Sequence, residues 1–154
     1  MGVSGCGKST LGTRIAQSLQ RKFIDGDYYH SPHNVKKMKT GQPLTDQDRI
    51  PWLKQLTQVL RECNDPAILS CSALKHAYRE ILISCTKPLF FIHLELDRES
   101  AGQRLTQRTN HYFEPSLLDD QFVQLEPLKP NERGITLSAK LYPNELINRV
   151  LQIQ

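Results

Sequence analysis

Apolar positions along the chain follow two alternating patterns, and the alternation predicts the architecture. Leu11, Ile15, Ala16 and Leu19 recur at helical spacing from Lys8 onward, and Ile50, Leu53, Leu56, Val59 and Leu60 do so again after Thr45-Asp46-Gln47-Asp48. Between such stretches lie short runs with strand character. Lys22-Phe23-Ile24-Asp25 runs into the Gly26-Asp27 turn, and Ala67-Ile68-Leu69-Ser70-Cys71 has the unbroken apolarity of a buried parallel strand. Leu89 to Leu96 is the clearest strand, and Ile135-Thr136-Leu137-Ser138 the last. Polar residues set the boundaries. Ser31-Pro32 supplies a cap and a first-turn proline for a helix ending before Gly41, and Asp97 caps a helix expected to reach about Arg108. Helices are also expected over Ala73–Leu82, in a short piece from Pro115-Ser116 to before Pro127, and over Pro143–Gln152, with a polar and aromatic loop at 109–115. Strand–helix alternation of this kind predicts an α/β fold, a parallel sheet flanked by helices.

Bulk properties narrow the class. The length of 154 residues suits one domain over 1–154, and 38% hydrophobic content leaves no apolar run near the roughly 18–20 residues that span a membrane. No secretory leader pattern is present, so a cytoplasmic location is expected, with no membrane partner. Cys6, Cys63, Cys71 and Cys85 show no metal-type spacing and read as free thiols. The net charge of +4 suits an anionic small-molecule substrate without calling for nucleic acid.

Chemistry enters with residues 2–9. Gly2-Val3-Ser4-Gly5-Cys6-Gly7-Lys8-Ser9 satisfies G-x-x-x-x-G-K-[ST], a loop whose backbone N–H groups cradle phosphate. Lys8 is then placed to reach the β- and γ-phosphates, Ser9 to ligate Mg²⁺, and the helix that opens at Lys8 adds its dipole. Such a loop normally follows a strand, and here a single residue precedes it. Asp25 and Asp27 end the next strand, at the sheet edge where ligands of open α/β folds bind. One carboxylate suits a magnesium ion and the other an attacking hydroxyl. Arg104 and Arg108 share a helix face beside the 109–115 loop, where a closing arginine would meet charge on a moving phosphoryl group. Arg49, Lys75 and Arg79 suit an anionic acceptor.

Several blocks together resemble the gluconokinases, small-molecule kinases of the P-loop, adenylate-kinase-like group. They are Gly2 to Thr10, Asp25-Gly26-Asp27-Tyr28-Tyr29-His30, Asn34 with Lys37-Met38, Gly41 to Leu53, Cys71 to Arg79, and Arg104-Leu105, Arg108, His111-Tyr112-Phe113 and Gln121-Phe122 with Leu125-Glu126-Pro127. The resemblance covers nearly the whole chain. It implies a three-layer P-loop kinase fold with a small lid at about 108–116, and transfer of the ATP γ-phosphate to D-gluconate with Mg²⁺. Gly2, Val3, Ser4, Gly5, Cys6, Gly7, Lys8, Ser9 and Thr10 would hold ATP, with Ser9 and Asp25 near the metal. Lys8, Asp27 and Arg108 would be catalytic, and Asp27, Arg49, Lys75, Arg79 and His111 would meet the sugar acid. Homodimers are common in the group.

Three departures stand out. Cys6 replaces the usual serine, and Asn110 a frequent glycine. The third is the family's first strand, an apolar run ending in this Met-Gly-Val, which lies mid-sheet; without it two strand edges are exposed. Several buried side chains at roughly 1.5–3 kcal/mol each rival a domain's stability of about 5–15 kcal/mol. Met1 therefore reads as an internal methionine of a longer enzyme. The competing readings are a shikimate-kinase-like enzyme, disfavoured because Cys71-Ser72-Ala73-Leu74-Lys75 stands where a glycine triplet is usual, and a catalytically impaired truncated product.

Overall fold

The computed structural model describes residues 1–107 and 115–153. Seven helices and four strands alternate among them: α1 Lys8–Ser18, β1 Lys22–Asp25, α2 Pro32–Lys39, α3 Asp46–Glu62, β2 Ala67–Ser70, α4 His76–Ile83, β3 Phe91–Glu95, α5 Arg98–Thr106, α6 Leu118–Gln124, β4 Gly134–Ser138 and α7 Pro143–Leu151. Single 3₁₀ turns cover Gly26–Tyr29 and Pro115–Leu117.

The capping residues act as their chemistry dictates. Ser31 accepts from the Asn34 amide and Asp97 from the Ser100 amide. Thr45 and Asp48 form a reciprocal capping box, satisfying two orphan donors of α3. Helix α4 starts three residues later than its sequence suggests, because Ala73 takes φ +43° and the Ala73 and Leu74 carbonyls turn toward Arg79.

The strands pair in parallel as β1–β2, with Lys22 opposite Ala67 and Asp25 opposite Ser70, and as β3–β4, with Phe91 opposite Gly134 and Glu95 opposite Ser138. Met1 and Gly2 lie between the pairs. The Met1 amino group donates to the Ile92 carbonyl, the Leu94 amide to the Met1 carbonyl at 3.0 Å, and the Gly2 amide to the Ser72 carbonyl at 3.0 Å. Ile68 and Ile92 pack into a core with Leu11, Ile15, Leu146 and Val150, while Leu69 and Phe91 join one with Trp52, Leu56 and Leu82. Adjacent strand residues thus face different helices, α1 and α7 on one side and α3 and α4 on the other, which gives three layers.

One expectation is corrected here. Ala67, Ile68 and Leu69 are only half-buried, not enclosed as a central parallel strand should be, because the edge of β2 away from β1 faces a cavity. Among the described residues no helix is long and apolar enough to cross a membrane.

Candidate active site

The phosphate loop is built by close approach. Gly2 takes φ +134° and Gly5 φ +83°, and a Cβ on either would come within 2.7 Å of a backbone oxygen, of Leu94 or Ala101. Glycine alone satisfies both requirements. Val3 and Cys6 are buried beneath the loop at 1% and 2% exposure, so Cys6 is a packing residue with its thiol shielded. Gly7 precedes α1 in the left-handed region, and α1 has neither a side-chain cap nor an acidic residue in its first turn. Its first N–H groups and dipole are therefore left for an anion. The Lys8 ammonium donates to the Val3 carbonyl at 2.9 Å, which holds it across the loop. Ser4 is pinned by its amide donating to the Gln121 side-chain oxygen at 2.7 Å, a tie from α6 that nothing in the local sequence signals.

Ser9 and Asp25 come together as expected. The Ser9 hydroxyl donates to the Asp25 carboxylate at 2.8 Å and lies 3.3 Å from the Ser70 hydroxyl. Two oxygen donors side by side, facing a phosphate cradle, suit Mg²⁺, which keeps waters and phosphate oxygens as its other ligands. Ser70 is an addition, and the polar end of an otherwise apolar strand was its only signal. Asp25 also accepts from the Asp27 amide at 3.1 Å, so the two carboxylates are set by one short turn. Trp52 clamps that turn by donating its indole N–H to the Gly26 carbonyl at 2.8 Å. His30 stacks on Trp52 with ring centroids 4.1 Å apart. Burial, with Arg49 adding and Asp27 opposing, pushes the His30 imidazole down to about 4, so it is neutral at pH 7.

The three cations assigned to the acceptor have separate fates. Arg49 is 5% exposed, and its Nε donates to the Leu44 carbonyl at 3.3 Å. Among the described residues no carboxylate pairs with it. Its guanidinium carbon lies 6.0 Å from the Tyr78 ring centre, and the Lys75 ammonium 5.4 Å from the same centre. Lys75 is tied to Asp46 at 2.6 Å, and the Tyr78 hydroxyl donates to the same carboxylate. The hydrogen bond from Lys75, then that from Tyr78, hold the Asp46 carboxyl below its usual range. Burial, and next the bond to Asp46, raise the Tyr78 phenol.

Arg79 departs from its expected role. It is 0% exposed, and its donors are taken by Glu132 and by the carbonyls of Ala73, Leu74, Glu126 and Pro127. It is a bolt between α4 and the 126–132 segment, with no donor left for a substrate. Arg108 and His111 lie outside the described residues, as does the lid apart from 115–116.

A consequence concerns stability. Arg79→Met leaves the Glu132 carboxylate, 2% exposed, without its cation, and the expected loss is about 3–5 kcal/mol, read from thermal unfolding at pH 7. Hydrogen bonding from Arg79 holds the Glu132 carboxyl down to about 2 from an ordinary 4.5. A folded-state value below the unfolded one stabilises fully above the unfolded value and is lost as pH falls through the folded one. The thermal midpoint is therefore expected to drop between about pH 4.5 and 2, and less steeply in Arg79→Met.

The described residues thus hold a glycine-lined anion cradle, an adjoining Ser–Asp pair and a buried guanidinium that no described carboxylate pairs with, and similarity to known proteins says what kind of protein carries such a set. The chain is 41% identical to the gluconokinase of Gluconobacter oxydans (strain 621H) over 155 residues, covering 99% of this chain and 87% of that protein. It superposes on a gluconokinase from Sinorhizobium meliloti 1021 with a TM-score of 0.89 at 38% identity, covering 99% of this chain and 87% of that one. The chain belongs to the gluconokinase family. A sugar kinase from Janibacter sp. HTCC2649 is similar as well, with a TM-score of 0.93 at 39% identity, covering 99% of this chain and 90% of that one. The family model for shikimate kinase matches residues 4–138, which marks the wider group of P-loop kinases to which gluconokinases are related. This gluconokinase-family chain therefore has a nucleotide-binding α/β kinase fold, and ATP use follows from the family.

Proposed function

We propose that the protein transfers the γ-phosphate of ATP to the terminal hydroxyl of D-gluconate, giving 6-phospho-D-gluconate. The observation that carries the reading is Arg49. A buried guanidinium that no described carboxylate pairs with is costly, and a bound sugar-acid carboxylate would both neutralise it and fix which end of the substrate faces Asp27. Lys75 lies against the same Tyr78 ring with a partly exposed side chain, suited to the same anion or to a neighbouring hydroxyl.

The remaining roles follow from position. Gly2 to Thr10 bind the triphosphate, and Lys8 offsets charge on the transferring group. Asp27 accepts the proton of the attacking hydroxyl or orients it. Ser9 and Asp25 would hold Mg²⁺, with Ser70 alongside; the ion would neutralise charge on the β- and γ-phosphate oxygens. Arg108 and His111 are assigned to a closing lid on the family resemblance alone.

The experiment is Arg49→Met assayed by ADP release. The KM for gluconate is expected to rise about 10²-fold while the KM for ATP stays within about threefold, because one desolvated charged pair is worth several kcal/mol. An unchanged gluconate KM would remove Arg49, and with it the carboxylate reading of the cleft.

A further inference from the structure

Lys8 is held by a series of contacts that reaches beyond the phosphate loop. Its ammonium donates to the Val3 carbonyl at 2.9 Å, and the N–H of that same peptide unit, on Ser4, donates to the Gln121 side-chain oxygen at 2.7 Å. The Cys6 amide also donates to the Val3 carbonyl, at 3.4 Å. A trans peptide is planar, with its C=O and N–H pointing in opposite directions, so a bond at one end sets where the other end points. Gln121 and Lys8 are therefore joined across one rigid plane. Hydrogen bonds in series also polarise one another, so donation to Gln121 makes the Val3 carbonyl a better acceptor for an ammonium.

The surroundings of Gln121 fix its oxygen in place. Leu118, Gln121 and Leu125 recur at helical spacing on one face of α6, and both leucines pack into the core that holds Val3 beneath the loop. Gln121 interrupts that apolar stripe and is 5% exposed. Burying an amide oxygen is costly unless a donor meets it, and the donor here is 117 residues away in the chain. On its far side the loop is seated against α5 at Gly5, where a Cβ would come within 2.7 Å of the Ala101 carbonyl oxygen. The Val3–Ser4 peptide is thus gripped between two helices, and Gln121 supplies the polar grip.

We propose that Gln121 is a positioning residue for phosphoryl transfer: it orients the Val3–Ser4 peptide and, through that carbonyl, aims the Lys8 ammonium at the phosphate in the loop. The inference rests on the role proposed above for Lys8. Gln121 acts through Lys8 and needs no contact with either substrate.

The test compares the parent with Gln121→Met, which keeps the side-chain length and removes the acceptor, each with and without Lys8→Ala. With Lys8 present, kcat by ADP release is expected to fall about tenfold or more while the gluconate KM stays within about threefold. On Lys8→Ala the same substitution should cost less than about threefold, because a residue acting through Lys8 has nothing left to position. Two readouts need no substrate. In the unliganded parent the Ser4 amide should exchange at least about 10²-fold slower than an unstructured amide. Lys8 of Gln121→Met should react with acetic anhydride at least about threefold faster than Lys8 of the parent, with exposed Lys54 as internal reference. Gln121→Glu, which keeps an oxygen acceptor, should leave Lys8 no more reactive than in the parent. Equal losses of kcat in both backgrounds would overturn the proposal, since Gln121 would then act by a route that bypasses Lys8. So would an unprotected Ser4 amide, an unchanged Lys8 reactivity in Gln121→Met, or an equal rise in Gln121→Glu. A parent that does not turn over gluconate would sink the substrate assignment instead, and the exchange and labelling results would still decide this proposal.

Discussion

Lys8→Ala is expected to lower kcat for gluconate phosphorylation by about 10³-fold or more. The ammonium is held over the loop by the Val3 carbonyl, at the start of a helix with no side-chain cap, whose first N–H groups would meet the same phosphate on the proposed reading. Charge grows on the equatorial oxygens of a transferring phosphoryl group, so a cation fixed there would stabilise the transition state more than bound ATP. Lys8 is only half-buried and, among the described residues, bonds to a carbonyl and to no carboxylate, so the thermal midpoint without ligand should stay within about 2 °C. Turnover by ADP release and the midpoint together check this. Activity within tenfold of the parent would remove Lys8 from the transition state.

Asp27→Asn is expected to cost about 10²- to 10⁴-fold in kcat, with nucleotide affinity and the gluconate KM little changed. The substitution keeps size and removes the negative charge that would take or orient the hydroxyl proton. The backbone of the turn should persist, because it is held by the Asp25 carboxylate on the Asp27 amide and by Trp52 on the Gly26 carbonyl. Single-turnover phosphoryl transfer separates this from a binding defect. A mutant as fast as the parent would show that another group handles the proton.

The parts legible in the sequence were those governed by neighbouring residues. Caps at Ser31, Thr45 and Asp97 act within one turn, and the phosphate loop folds on its own glycines, so each could be read locally. Asp25, Asp27 and Ser9 meet because one lies at the end of β1 and another at the start of α1, an arrangement fixed by the βα topology. Arg49 and Arg79 show where such reading stops. In sequence both are basic residues near an element start. Their difference is made by Glu132, 53 residues beyond Arg79, which takes that guanidinium, whereas no described carboxylate reaches Arg49. The late start of α4 has the same origin, since Arg79 draws the Ala73 and Leu74 carbonyls out of helical geometry.

The half-exposed face of β2 teaches a related lesson. Its apolar composition fits a strand flanked on both edges, and the structure supplies a strand on one edge and a cavity on the other. Ser70 escaped notice because its role depends on Ser9 and Asp25 arriving from other elements. The Tyr78–Asp46–Lys75 cluster was invisible for the same reason, with partners 29 and 32 residues apart.

The most direct test of the account is phosphoryl transfer from ATP to gluconate, shikimate and the neutral polyol sorbitol, with the product identified by phosphorus NMR. Gluconate should be phosphorylated at its terminal hydroxyl with kcat/KM at least about 10²-fold above either alternative, since on the proposed reading only it would place a carboxylate on Arg49 with a primary hydroxyl at Asp27. Equal rates on sorbitol, or a preference for shikimate, would contradict a site built around the sugar-acid carboxylate.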